Sequence, residues 1–157
     1  MAIEIERKFL VTGNFRPYVI RQQRIVQGYL SSVAERSVRV RIMDDNAFLT
    51  IKGISDENGM SRFEWEKEIG LVDAEALLKL CEPGKIEKMR FIVPENGGLF
   101  FEVDQFFGEN EGLIIAEIEL PSESYSFLKP SWLGKEITGD LKYYNASLTA
   151  NPFCNWK

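Results

Sequence analysis

The chain opens MAIEIERKF, and within that stretch Glu4, Glu6 and Lys8 stand two residues apart, interleaved with Ile3, Ile5 and Arg7. Residues two apart in an extended strand share a face, so this spacing gives one face two carboxylates and an ammonium and leaves Ile3 and Ile5 on the other. The same sorting recurs along the chain. Arg39 and Arg41 oppose Val38, Val40 and Ile42; Thr50 and Lys52 oppose Leu49 and Ile51; Lys88 and Arg90 oppose Met89 and Phe91. Glu64 and Glu66 oppose Phe63 and Trp65, Glu102 and Asp104 oppose Phe101 and Val103, and Glu117 and Glu119 oppose Ile118 and Leu120. Guanidinium and ammonium groups grip phosphate oxygens, and the planar guanidinium fork matches them best. Carboxylates set among such cations either neutralise them or hold a hard divalent ion, Mg2+ or Mn2+, which prefers oxygen ligands. Cations for phosphate beside acids for a metal form a phosphoryl-transfer set.

Other chemistries are narrowed by what the chain lacks. It contains no histidine, which removes the usual general base, the Ser-His and Cys-His pairs and imidazole-bound zinc. Its two cysteines, Cys81 and Cys154, have no metal-ligand spacing and are expected to be reduced. A net charge of −5 argues against nonspecific binding to nucleic acid or to an anionic membrane. No apolar run approaches the roughly 20 residues that span a bilayer, and the charged N-terminus does not read as a secretory signal, so a cytoplasmic location is expected.

The elements that must position these charges are mostly strands. Period-2 alternation bounded by Gly, Pro, Asn or Asp predicts strands near Ile3–Val11, Arg24–Ser31, Ser37–Met43, Ala47–Ile54, Ser61–Ile69, Lys85–Val93, Leu99–Phe107 and Leu113–Leu120. Asp44–Asn46 and Glu95–Gly98 read as hairpin turns, which makes their flanking strands antiparallel. Helical signals are fewer: a helix capped by Asp73 and ended by Glu82-Pro83-Gly84, with shorter stretches at Ser122–Leu128 and Tyr143–Ala150. At 157 residues with no linker or repeat, one domain spanning residues 1–157 is expected.

Most antiparallel sheets put their polar side in water. Here the charges are sorted by sign, some strands supplying only cations and others only carboxylates, whereas a merely solvated face mixes them. Eight strands close into a barrel just wide enough for one small ligand. The expected fold is therefore mainly β (α+β): an eight-stranded antiparallel closed barrel, or tunnel, with a charged interior and a few flanking helices.

EIERK at Glu4–Lys8 matches the E-x-E-x-K signature of the CYTH superfamily, the triphosphate tunnel metalloenzymes. The resemblance continues, in the family's order, through RVR at Arg39–Arg41, TIK at Thr50–Lys52, EWE at Glu64–Glu66 and EKMR at Glu87–Arg90. It runs on through FEVDQFFG at Phe101–Gly108 and AEIEL at Ala116–Leu120, and Trp132–Leu148 is similar to the C-terminal segment of the small bacterial members. The resemblance implies a metal-dependent hydrolase acting on a small-molecule triphosphate. Glu4, Glu6, Glu117 and Glu119 would hold Mg2+ or Mn2+, with Glu102 and Asp104 as further ligands or water-positioning groups. Lys8, Arg39, Arg41, Lys52, Lys88 and Arg90 would grip the phosphates, joined by a basic residue at Lys142, and Glu64 and Glu66 would line the tunnel. Lys8, Glu102, Asp104, Glu117 and Glu119 are the expected catalytic set.

A single domain without an insertion to house a nucleoside or thiamine favours inorganic triphosphate, cleaved to pyrophosphate and phosphate. Two other enzyme readings stay open, a class IV-type adenylate cyclase and a nucleoside or thiamine triphosphatase, and so does a non-catalytic module that binds polyphosphate or nucleotide. Trp65 and Trp132 read as packing residues. The outward apolar residues, among them Val40, Phe63, Trp65 and Met89, exceed what a few helices can cover, so a homodimer is expected.

Overall fold

A computed structural model describes residues 3–156. The strands are β1 (Ile3–Val11), β2 (Arg21–Ser31), β3 (Arg36–Met43), β4 (Asn46–Gly53), β5 (Ser61–Ile69), β6 (Ile86–Pro94), β7 (Phe100–Phe106), β8 (Ile114–Glu119) and β9 (Leu133–Glu136); the helices are α1 (Leu71–Leu78) and α2 (Asn145–Ala150). The sheet order is β5-β4-β3-β2-β6-β7-β8-β1-β9, and a further β5–β1 pairing closes it into an eight-stranded barrel in which every pairing is antiparallel.

β1 makes the closure. One edge pairs with β8, Glu6 opposite Glu119 and Lys8 opposite Glu117. Along its other edge Ile3 and Ile5 pair with β5 before Phe9 and Val11 pair with β9. The two predicted hairpins are present. Asp44 takes a φ of 53° and Gly98 a φ of 97°, the left-handed backbone these turns need.

The barrel is packed mainly on its outside. α1 lies over β2, β3 and β4, where Ala74, Leu77, Leu78 and Cys81 meet Val40, Ala47 and Leu49. Gly28 permits that approach, since a Cβ there would stand 3.0 Å from Cys81. The opposite wall carries Phe9, Phe91, Phe101, Val103 and Ile118, covered by Phe15, Phe127 and Trp132 from the flanking loops. A third apolar cluster lies on the inner face: Ile86, Phe106 and Ile115, with Leu10 packed against them, meet Leu148 of α2 and Ile137, which follows β9. One end of the barrel is thus filled and the rest is lined with charge.

Several expectations are corrected. α1 starts at Leu71 behind Gly70, not at a cap on Asp73; Ala74 N–H donates to Gly70 O, and Asp73 sits in the first turn where a carboxylate suits the helix dipole. Leu71 and Val72 are exposed, so apolar periodicity could not mark that start. Ser122–Leu128 is turn and extended chain that lays Tyr125 and Phe127 on the outer core. β2 starts at Arg21, where pairing to Ile92 begins, and β9 is an additional short strand. The outer face is better covered than its composition suggests, with Val40 fully buried and Met89 packed into the outer core. Ile3, Phe63 and Trp65 remain exposed, so Trp65 does not pack as Trp132 does.

Candidate functional site

Glu4, Glu6, Lys8, Arg39, Arg41, Lys52, Glu64, Glu66, Lys88, Arg90, Glu102, Glu117 and Glu119 line one cavity inside the barrel, of about 570 Å³. Strand parity alone brings them together, since each is an inward position of its strand. Many of them pair in charge with residues on neighbouring strands. Lys52 Nζ donates to both Glu4 oxygens, at 2.8 and 3.0 Å, and lies 3.4 Å from Glu64. Arg39 reaches Glu66 at 3.7 Å, and the same carboxylate accepts from Thr50 at 2.7 Å. Arg90 makes a two-pronged bond to Asp104 at 2.8 and 2.9 Å and approaches Glu102 at 3.3 Å.

Two expected residues are placed otherwise. Asp104 is buried, and its carboxylate is engaged by Arg90 and by Lys88 at 2.7 Å instead of opening to the cavity. Lys142 lies in a short 3-10 turn, Leu141–Tyr143, before α2, outside strand parity. It is exposed, with its ammonium 4.8 Å from the Trp156 ring and 5.2 Å from that of Tyr143, and it does not line the cavity.

The structure also adds residues. Arg62 lines the cavity 3.7 Å from Glu4 and shares β5 parity with Glu64 and Glu66, a signal that could have found it. Gln27 and Tyr29 come from β2 by the same rule, Gln27 accepting from Arg41 Nε at 2.8 Å. Tyr144 and Asn145 come from the C-terminal segment. The Tyr144 ring stands 4.1 Å from Lys8 Nζ, and its hydroxyl is 3.0 Å from that of Ser55. No period in the sequence marks these last two.

Burial sets charges against one another. For Arg41, burial and then the neighbouring Arg39 and Arg90 push the pKa down to about 9. Lys88 falls to about 7, chiefly by burial, although Asp104 favours its charge. Around Arg41 and Lys88, burial and neighbouring guanidinium groups thus work against the charged forms, which a bound anion favours. Arg39 Nε is the one buried side-chain nitrogen or oxygen without a hydrogen-bond partner among the described residues. On the acidic side, burial and the Glu117 charge raise Glu6 to about 8. Burial opposes ionisation of Glu117 as well, but Lys8, Arg90, Lys88 and Lys52 outweigh it and hold Glu117 far below the usual carboxylate range. Glu119 is raised by burial and by Glu4 and Glu102.

The donor set suits a hard divalent ion. Glu6 faces Glu119 across β1 and β8, and Glu102 faces Glu117 across β7 and β8, all oxygen donors. Among the described residues no three acidic, histidine or cysteine side chains close into a ready-made cage. That agrees with Mg2+ chemistry, in which one or two carboxylates act with waters and substrate phosphates.

The family model described as the CYTH domain matches residues 2–152. An inorganic triphosphatase of Acetivibrio thermocellus is 46% identical over 158 residues, covering 100% of this chain and 99% of the relative. An inorganic triphosphatase of Nitrosomonas europaea is 35% identical over 148 residues, covering 92% and 95%. A crystal structure of an inorganic triphosphatase superposes with a TM-score of 0.68 at 32% identity, covering 95% of each chain. With its closed antiparallel barrel, its inward charges and these matches, the chain belongs to the CYTH domain family.

Proposed function

We propose that this protein hydrolyses inorganic triphosphate to pyrophosphate and phosphate with Mg2+ or Mn2+. The observation that carries the reading is the cavity inside the barrel in which Lys8, Arg39, Arg41, Lys52, Lys88 and Arg90 face Glu4, Glu6, Glu117 and Glu119. The relatives named inorganic triphosphatase, aligned over nearly the whole chain, support the same substrate.

Lys88, Arg90, Arg39 and Arg41 bind the triphosphate and stabilise charge gathering on its equatorial oxygens in the transition state. Asp104 fixes the Arg90 fork and the Lys88 ammonium by the bonds described above, so it positions cations and does not touch substrate. Glu4, Glu6, Glu117 and Glu119 are the carboxylates that would hold the divalent ion, which when bound offsets phosphate charge and orients the attacking water. Glu117, held ionised by four cations, is a weak base and acts as an anchor. Glu119, raised and only partly enclosed, is suited to accept the proton that water releases, with Glu102 near it on the adjoining strand β7. No helix among the described residues is long and apolar enough to cross a membrane. We place the reaction in the cytoplasm, in keeping with two free cysteines. Exposed Ile3, Phe63 and Trp65 on β1 and β5 support a homodimer, which light scattering tests.

The substrate is tested by phosphate release from inorganic triphosphate, ATP and thiamine triphosphate, each with Mg2+ and Mn2+. Inorganic triphosphate should be cleaved fastest, without formation of cyclic AMP from ATP. Faster cleavage of ATP or thiamine triphosphate overturns the choice of substrate.

A further inference from the structure

The cations of the cavity are tied to the C-terminal helix through two neutral amides. Gln27 is fully buried in β2; its Oε1 accepts from Arg41 Nε at 2.8 Å, and its Nε2 donates to Asn145 Oδ1 at 2.9 Å. The same Asn145 oxygen accepts from Lys88 Nζ at 2.8 Å. The Arg41 end of this chain is an obligate donor, and the Lys88 end is one in its ammonium form. A guanidinium Nε–H and an ammonium cannot accept, so Arg41 sets the orientation of the Gln27 amide, Gln27 sets that of Asn145, and Lys88 enforces it again. Asn145 Oδ1 is thereby occupied by two donors, and its Nδ2 amide group must point elsewhere. Asn145 is itself part of the cavity lining, next to Lys88, and among the described residues no acceptor engages that nitrogen.

We propose that Asn145 is a substrate-binding residue that donates its Nδ2–H group to a phosphate oxygen held by Lys88, while its oxygen keeps Lys88 and, through Gln27, Arg41 in place. This rests on the triphosphate reading of the cavity. It assigns the first residue of α2 a second task besides docking: Leu148 of that helix fills the apolar end of the barrel, and Asn145 presents its amide to the charged part. A neutral donor adds a hydrogen bond to the anion where further positive charge would be costly, since Lys88 and Arg41 already repel one another's charge.

Asn145→Ala and Asn145→Asp separate the two tasks. The Asp variant keeps an oxygen for both Lys88 and Gln27, so it retains the docking contacts and loses only the donor. KM for inorganic triphosphate should rise about 10-fold in the Ala variant and further in the Asp variant, where a carboxylate faces the phosphate; a tenfold change matches the loss of one hydrogen bond to a charged group. The Asp variant should melt at or above the wild-type temperature. An Asn145→Ala protein with wild-type KM overturns the proposal, and so does a folded Asn145→Asp protein with wild-type KM. Wild type measured alongside keeps the two readings apart: if it fails to cleave triphosphate, the function of the cavity is wrong; if it cleaves while both variants keep its KM, only the role of Asn145 is wrong.

Discussion

Lys8 and Leu10 occupy the same face of the same strand, yet one lines the cavity and the other packs beneath α2. Two other strands repeat the contrast, Lys88 against Ile86 in β6 and Glu117 against Ile115 in β8, and β7 sets the buried carboxylate of Asp104 beside Phe106. Inside the barrel, a charged section and an apolar section meet within two residues. Alternation sorts side chains into inward and outward, but the wetness of the inward side depends on what covers the end of the barrel. Here Ile137 and Leu148 seal one end, so apolar side chains there stabilise the fold, while the charges beyond them are held at a cost for function.

The contrast is broken most severely by exchanging the character of the charged section. In the double variant Glu4→Leu/Lys52→Met, activity should fall by about two orders of magnitude or more, since electrostatic contacts of this kind carry such factors. Its stability to urea should hold or rise, because buried ion pairs replaced by apolar side chains are often neutral or stabilising by about 1–4 kcal/mol. A large loss of stability would mean that the charges hold the barrel together. The apolar section should behave oppositely: Ile115→Ala should cost about 2–5 kcal/mol in urea unfolding and leave KM near wild type.

A smaller effect concerns pH. Glu6 is raised from 4.5 to about 8, so its protonated form is favoured in the folded, metal-free protein. Stability from this group is fully present below pH 4.5 and is lost as pH rises through about 8. The melting temperature of wild type relative to Glu6→Gln should therefore fall across that window, and Mg2+, which needs the ionised carboxylate, should recover it. A pH-independent difference would remove Glu6 from the buried acid set. The smallest effect is expected at Lys142: Lys142→Ala should change KM less than about threefold, within the range of exposed charges.

The in-and-out sorting was legible in the sequence because a strand's period is fixed at two. It placed Lys8, Arg39, Arg41, Lys52, Lys88 and Arg90 in one cavity. Arg62 obeys the same rule, but it is the one cation on a strand face otherwise carrying Glu64, Glu66 and Glu68. Gln27 carries no charge to draw attention, although it holds Arg41. Tyr144 and Asn145 reach the cavity only because tertiary packing returns the C-terminal segment to the barrel, which local periodicity does not encode. Lys142 shows the converse: a basic residue in an aperiodic loop can turn outward onto Trp156.

Glu117→Gln tests the central claim most directly, because this carboxylate lies among four of the cavity's cations. Inorganic triphosphate turnover with Mg2+ and triphosphate binding by calorimetry should be measured on wild type and variant together. Wild type should bind and cleave, while the variant binds at least as tightly and turns over about 100-fold or more slowly. Unchanged turnover in the variant, or binding without cleavage by wild type, would contradict a catalytic role for the charged interior.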